Sequence, residues 1–320
     1  MTPRVSQPFV ADATRQNIWL HRYALLAAMA TFPLLFMGGL VTSTGSALAV
    51  PDWPTTFGHH MFLYPWSRMV GGIFYEHSHR LLGALVGFLT MTLTLWLWFK
   101  DRRPLLRWLG SIALAAVIIQ GALGGLRVVL LQQTLAIAHA CLAQAFFALL
   151  VSITLLTSPA WKAEACDTPM AEGGQLRRLC LLTTAFIYLQ IVFGAVLRHT
   201  GTRVDAHILF AVLVAMHVTM LAIQIWRTHS QRRDLVRPMR WLSGLLMAQL
   251  SLGVGAYVMK FMAITAVVPP WVRVSLTTTH LAVGSLMLVT SLVLALRTSR
   301  LRLEPKSILA AKLLPEQVAP

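Results

Sequence analysis

Five consecutive residues, Glu76-His77-Ser78-His79-Arg80, put a carboxylate, two imidazoles and a guanidinium at the mouth of a long apolar run, Leu81 to Phe99. Ionisable groups at a membrane boundary cost free energy to keep there, so they are functional candidates by default. A histidine recurs near the start of three later apolar runs, as His139, His207 and His280. Imidazoles offered at one depth by neighbouring helices suit axial ligation of an iron porphyrin, with His79 paired to His139 and His207 to His280. Zinc fits less well, because no cysteine and few carboxylates accompany these histidines. A lone histidine at a helix end is ordinarily an interfacial polar residue. Four of them in a repeated framework favour the cofactor reading.

Glu76 stands three residues before His79 and four before Arg80, so on a helix the three share a face. Two roles for Glu76 stay open. It either pairs locally with Arg80 or an imidazole, or sits beside the porphyrin, stabilising positive charge and taking protons during an oxidation. Arg80, Arg127, Arg198 and Arg203 lie at the same level. They can hold propionates through charge-assisted bonds, or simply snorkel to the interface. His77, two residues from His79, points nearly the opposite way, so only one of the pair can face a porphyrin. His21, His59, His60 and His229 fall in solvated segments, His199 in a short outer loop, and His217 deeper on another face. Cys141, Cys166 and Cys180 show neither metal-ligand spacing nor a disulfide framework.

The elements that must position these groups are membrane helices. The 320 residues are 57% hydrophobic and 12% charged, with a mean hydropathy of +0.67, far from soluble composition. Eight apolar runs approach the ~20 residues needed to cross a bilayer: 23–42, 76–98, 105–126, 136–157, 179–198, 206–226, 241–259 and 275–296. The first is read as a retained span, with a removed signal peptide as the weaker alternative. No alternating strand pattern competes, and the fold class is an all-α polytopic membrane protein. The net charge of +16 reads as loop bias rather than as nucleic-acid binding. With the N-terminus inside, 20 Lys and Arg fall in cytoplasmic segments and seven outside, which predicts cytoplasmic termini and histidines toward the outer face.

The chain divides into a tail (1–22), an N-terminal four-helix half (23–157) with a long outer loop (43–75), a cytoplasmic linker (158–178), a C-terminal four-helix half (179–296) and a second tail (297–320). The halves look related. Gly38-x5-Thr44-Gly45-Ser46 closes the first span and Gly194-x5-Thr200-Gly201-Thr202 the fifth. Gln120-x3-Gly124, Gln190-x3-Gly194 and Gln249-x3-Gly253 echo one another. These agreements predict a duplication into two pseudo-symmetric four-helix bundles, related by an axis along the membrane normal. One asymmetry stands out: three residues before His207 is Val204, so only the first histidine pair has a carboxylate like Glu76.

Val41-Thr42-Ser43-Thr44-Gly45-Ser46 running into Asp52-Trp53-Pro54, then Glu76-x-x-His79-Arg80 and the later histidines, resembles the haem A synthase family over about residues 20–297. The resemblance implies eight spans and oxidation of the C8 methyl group of haem O to a formyl group, by successive hydroxylation and loss of water. It implies a substrate pocket near His79, His139 and Arg80 with Glu76 as the required carboxylate, and a haem b cofactor on His207 and His280. Candidate partners are haem O synthase (protohaem farnesyltransferase), cytochrome oxidase assembly factors, an electron donor of unidentified kind and a second copy of the chain. The resemblance also departs at two places. Ala49 and Thr56 replace a cysteine pair that some bacterial members carry, and Ser43 stands where relatives often have a basic residue, removing a propionate contact. The residues alone also fit a dihaem cytochrome b relaying electrons from a quinol and, less well, a haem or solute transporter.

Overall fold

The structure, a computed structural model, describes residues 18–163, 173–262 and 268–300. Cys166, considered above as a metal or disulfide candidate, and Arg4, Arg15, Arg302, Lys306 and Lys312, counted above in the cytoplasmic charge bias, lie outside the described residues. Nine α-helices are seen among the described residues. They are α1 (Ile18–Ser43), α2 (Gly72–Lys100), α3 (Pro104–Leu130), α4 (Gln133–Thr157), the short α5 (Pro159–Ala163), α6 (Gly173–Thr200), α7 (Val204–Thr228), α8 (Arg233–Phe261) and α9 (Pro270–Thr298). All but α5 are long and apolar enough to cross a membrane. This is a multi-span membrane protein.

Each long helix runs past the apolar stretch that announced it. The backbone ladder does not stop where hydropathy does, because polar residues in the end turns still gain their helical hydrogen bonds while reaching water. The largest extension is at α8, which begins at Arg233 rather than near 241. Its polar first turns bury Leu235, Val236 and Met239 against the bundle. At α1 the extension takes in His21, assigned above to a solvated tail. Its Nδ1 lies 3.1 Å from the Thr154 carbonyl of α4, so it ties two helices together.

Local chemistry explains the ends. Pro104 and Pro270 open α3 and α9, where a missing N–H costs nothing. The turns after α1 and α6 are alike in detail. Gly45 and Gly201 adopt φ of 72° and 74°, the left-handed conformation that ends a helix cheaply only with glycine. The hydroxyls flanking each glycine, Thr44 with Ser46 and Thr200 with Thr202, meet at 2.7 Å. Between α2 and α3 three residues suffice, with Asp101 accepting the Arg103 backbone N–H and pairing with its guanidinium at 2.7 Å.

Helices pack as antiparallel neighbours, α1 with α2, α3 with α4, α6 with α7 and α8 with α9. Helices α1 and α4 also pack together, as do α6 and α9, and across the middle α1 meets α9 while α4 meets both α6 and α9. Two cores result. One joins Ala24, Ala27, Val86, Leu93, Leu97, Leu106, Leu150 and Ile153 of α1–α4. The other joins Leu176, Ile187, Leu221, Ile225, Leu235, Leu242 and Leu294 of α6–α9, and takes in Leu35 and Phe147 from the first four helices. The outer faces carry exposed apolar side chains such as Met29, Phe88, Ile118, Val212 and Met247, as a lipid-facing surface requires.

Candidate haem-binding site

The four histidines each begin as a residue on a helix that faces its own antiparallel neighbour. At the contact the neighbour carries glycine. A Cβ added to Gly38 of α1 would stand 3.0 Å from Cε1 of His79, and one on Gly124 of α3 would stand 3.2 Å from Cε1 of His139. The same holds at Gly194 of α6 against His207 (3.1 Å) and Gly253 of α8 against His280 (3.2 Å). Only a residue without a side chain lets backbone and imidazole approach so closely. Each ring is thereby seated from behind by a helix end and directed into its bundle.

The rings then meet in the expected pairs. His79 and His139 lie with centroids 6.4 Å apart and planes 79° to each other. His207 and His280 lie 6.3 Å apart at 72°. Two imidazole–metal bonds of ~2 Å each, plus the distance from each coordinating nitrogen to its ring centre, add up to roughly 6 Å, so both spacings fit one iron between two rings. No cluster of three or more His, Cys, Asp or Glu suited to a metal ion occurs among the described residues.

Buried polar atoms support the same fit. Nδ1 of all four histidines and Oε1 of Gln120, Gln190 and Gln249 are buried without a hydrogen bond. Orphaned polar atoms are rare in folded proteins, and seven at two sites mark places built for something more than packing. The glutamines stand four residues before their glycines. Gln190 and Gln249 each bring an amide nitrogen to within 3.4 Å and 3.3 Å of Nε2 of His207 and His280, and an amide NH2 can only donate. Each glutamine amide thus stands beside the ring nitrogen of its own histidine. Gln120 instead donates to the His139 carbonyl at 3.0 Å. One and two turns beyond His79, Gly83 and Gly87 leave open space, with nothing within 4 Å of an added Cβ.

Around the first pair the outer loop is fastened to α2. Because α2 starts at Gly72, Glu76 lies in its second turn, only 4% exposed, rather than at a loose mouth. Its Oε2 accepts the Val50 N–H at 3.0 Å and its Oε1 pairs with Arg80 at 3.0 Å. The Arg80 guanidinium also donates to the carbonyls of Asp52 (2.8 Å), Thr55 (3.0 Å) and Val50 (3.1 Å). Arg80 is thus engaged by the loop. His77 faces the loop as well, with Nδ1 3.1 Å from the buried Thr56 hydroxyl and its ring against Tyr64. Asp52 organises the loop tip by accepting the N–H groups of Phe57 and Gly58 and the hydroxyl of Thr55. Burial alone would raise its carboxyl, but the Gly58, Thr55 and Phe57 bonds prevail and hold it at about 2.

The sequence showed the glycines only as markers of a repeat; the signal that they seat the rings was the glutamine four residues before three of the four, Gly38 having Leu34 there. Sequence reasoning missed Trp53, whose indole occupies the place of a side chain on Gly125, with Cδ2 2.2 Å from an added Cβ. Of the histidines left unassigned, His217 points back to the Leu213 carbonyl at 2.8 Å and packs on Phe186, so it fills the bundle. Cys141 and Cys180 are free thiols.

The chain is similar to the heme A synthases of Shouchella clausii (29% identical over 185 residues, 57% of this chain and 60% of that one) and Exiguobacterium sibiricum (30% over 187 residues, 56% and 60%). The heme A synthase of Geobacillus kaustophilus aligns further, at 25% over 261 residues, 72% of this chain and 80% of that one. The alignments to the first two thus span about three-fifths of those relatives. The family described as cytochrome oxidase assembly protein (COX15–CtaA) matches residues 21–206, from α1 to the first turn of α7. With more than half its length inside that match, including Glu76, His79 and His139, the chain belongs to the cytochrome oxidase assembly protein family.

Proposed function

We propose that the protein is a haem A synthase, an oxidoreductase that converts the C8 methyl group of haem O to a formyl group by successive hydroxylation and loss of water. The observation that carries this reading is an asymmetry. Two histidine pairs share one geometry, yet only the first has a buried carboxylate one turn away, held by the Val50 N–H and Arg80. The position corresponding to Glu76 before His207 is Val204. The relatives' names agree with it.

In this reading the chain forms two pseudo-symmetric halves, supported by the matching helix contacts and by the four glycine-seated rings. The N-terminal half, 23–157, takes haem O between His79 and His139. The C-terminal half, 179–296, holds haem b between His207 and His280. Bound there, haem b supplies a one-electron redox centre. The protein's own contribution is mostly placement. Gly38 and Gly124 fix the substrate-side rings, and the outer loop closes over α2 through Arg80 and Trp53. Arg80 acts on substrate by holding that loop and Glu76 in place. Glu76 keeps lone pairs beyond its two hydrogen bonds, so it can accept a proton released as the methyl group is oxidised, the electrons passing to an oxidant supplied from outside the chain, and its charge would stabilise positive charge developing on the porphyrin. Both termini are cytoplasmic and the haem sites face outward, as the Lys and Arg bias supports. Haem O synthase, oxidase assembly factors and an electron donor are the partners this chemistry calls for.

A dihaem electron-transfer protein is the second reading, favoured by the near-identity of the two pairs. The two separate cleanly. The full chain is expressed with a haem O source, its pigments are extracted, and haem A or its hydroxylated precursor is expected. Unmodified porphyrin alone from folded, haem-loaded protein would sink the enzyme reading. Replacing His207 or His280 by Ala should remove the resident haem, whereas Glu76→Ala should leave it bound and stop oxidation. Normal turnover by Glu76→Ala would dismiss the chemical role of that carboxylate.

A further inference from the structure

The seam between the halves holds a half-buried cation, Arg198, with no carboxylate partner among the described residues. Arg198, in the last turn of α6, donates to the Gly39 carbonyl at 2.7 Å and the Ser43 hydroxyl at 2.6 Å on α1, and reaches the Thr277 carbonyl of α9 at 3.5 Å. Ser43 is saturated. It accepts from Arg198 and from Thr278 at 3.0 Å, which leaves its own proton for Thr277 Oγ1 at 3.0 Å, itself a donor to the Arg273 carbonyl. The helices are tight here, since a Cβ on Gly39 would stand 3.1 Å from Thr278 Cγ2. Among the described residues the ion pairs are Glu76–Arg80, Asp101–Arg103 and Asp234–Arg232, so the Arg198 charge meets only neutral acceptors.

The ends of this bridge are not arbitrary. Gly39 adjoins Gly38, which seats His79, while Thr277 and Thr278 stand three and two residues before His280 on the same helix. One guanidinium therefore touches the seat of the first pair and the turn that presents the second. Keeping even a half-buried charge without a counter-ion costs stability. The repeat did not require it, because counting from the equivalent Gly38 and Gly194 places Thr42 of α1 opposite Arg198.

We infer that Arg198 is a positioning residue of the His207–His280 centre, joining the two pockets and setting the reduction potential of the iron held by that pair. This rests on the haem b reading above. Reduction removes one positive charge from the iron, so a fixed cation nearby in a low-dielectric surround favours the reduced state and raises the potential.

The test is spectroelectrochemical titration of the purified, haem-loaded full-length protein. Arg198→Gln should keep the bis-histidine absorption spectrum and lower the midpoint potential. Arg198→Lys, which keeps the charge but not the forked reach, should stay near the wild-type value, and Ser43→Ala, which leaves the charge intact, should do the same. A glutamine variant with the wild-type potential overturns the inference. If the glutamine variant does not fold, a lysine variant with a clearly lowered potential overturns it instead. Failure of the underlying reading looks different: wild-type protein would then hold no bis-histidine haem at all.

Discussion

Gly38, Gly124, Gly194 and Gly253 each end where an imidazole begins, and this makes a glycine as consequential as a ligand. The histidines were legible in the sequence because ionisable residues at apolar boundaries are conspicuous. Their seats were visible only as an echo, since nothing local says which helix a glycine will face. The energetic expectation is direct. Overpacking a close contact costs ~1–3 kcal/mol, and in the proposed haem reading the strain falls on a ring that would hold iron. Gly253→Leu should therefore weaken haem retention by about tenfold or more while the protein still inserts and folds. Haem content per purified protein, read from the absorption spectrum, checks this. A leucine variant with full haem content would show that the seat is not needed. Arg80 makes the complementary point. Its neighbour spacing revealed the pair with Glu76, but its bonds to Val50, Asp52 and Thr55, between 25 and 30 residues away, depend on the folded loop.

Among the elements, the eight long helices were the most legible part, because a ~20-residue apolar requirement leaves few alternatives. Their ends were not, since polar end turns such as Arg233–Arg240 look like loop to a hydropathy window. The outer loop was least legible of all. What holds it is hydrogen bonding between its backbone and Glu76 and Arg80 of α2, and the Trp53 ring on Gly125, none of which a local pattern announces. Asp52 gives this loop a pH limit. Its folded-state value of about 2 lies below the ordinary 3.8, so its contribution is complete above about pH 4 and is lost as the pH falls toward about 2. Amide hydrogen exchange at Phe57 and Gly58 should rise through that window in the wild type. In Asp52→Ala it should be fast throughout, and unchanged protection in that variant would remove Asp52 from the account.

For the whole molecule, the proposed topology puts both termini in the cytoplasm, on the argument of eight spans and the Lys and Arg bias. Single cysteines at the termini, in a background lacking the native three, should be shielded from an impermeant thiol reagent in intact cells and react after permeabilisation. Labelling of the termini in intact cells would invert the topology. The junction at Arg198 and Ser43, 155 residues apart in sequence, belongs to this scale as well. It could not be read from either half alone. The two histidine pairs share a last property of the assembled bundle, ring planes turned 79° and 72° apart. Crossed ligand planes bond to different iron d-orbitals and leave them nearly equal in energy. The oxidised His207–His280 centre should then give a strongly anisotropic low-spin EPR signal with one dominant low-field feature. A three-line rhombic spectrum would mean that the rings turn parallel when iron binds.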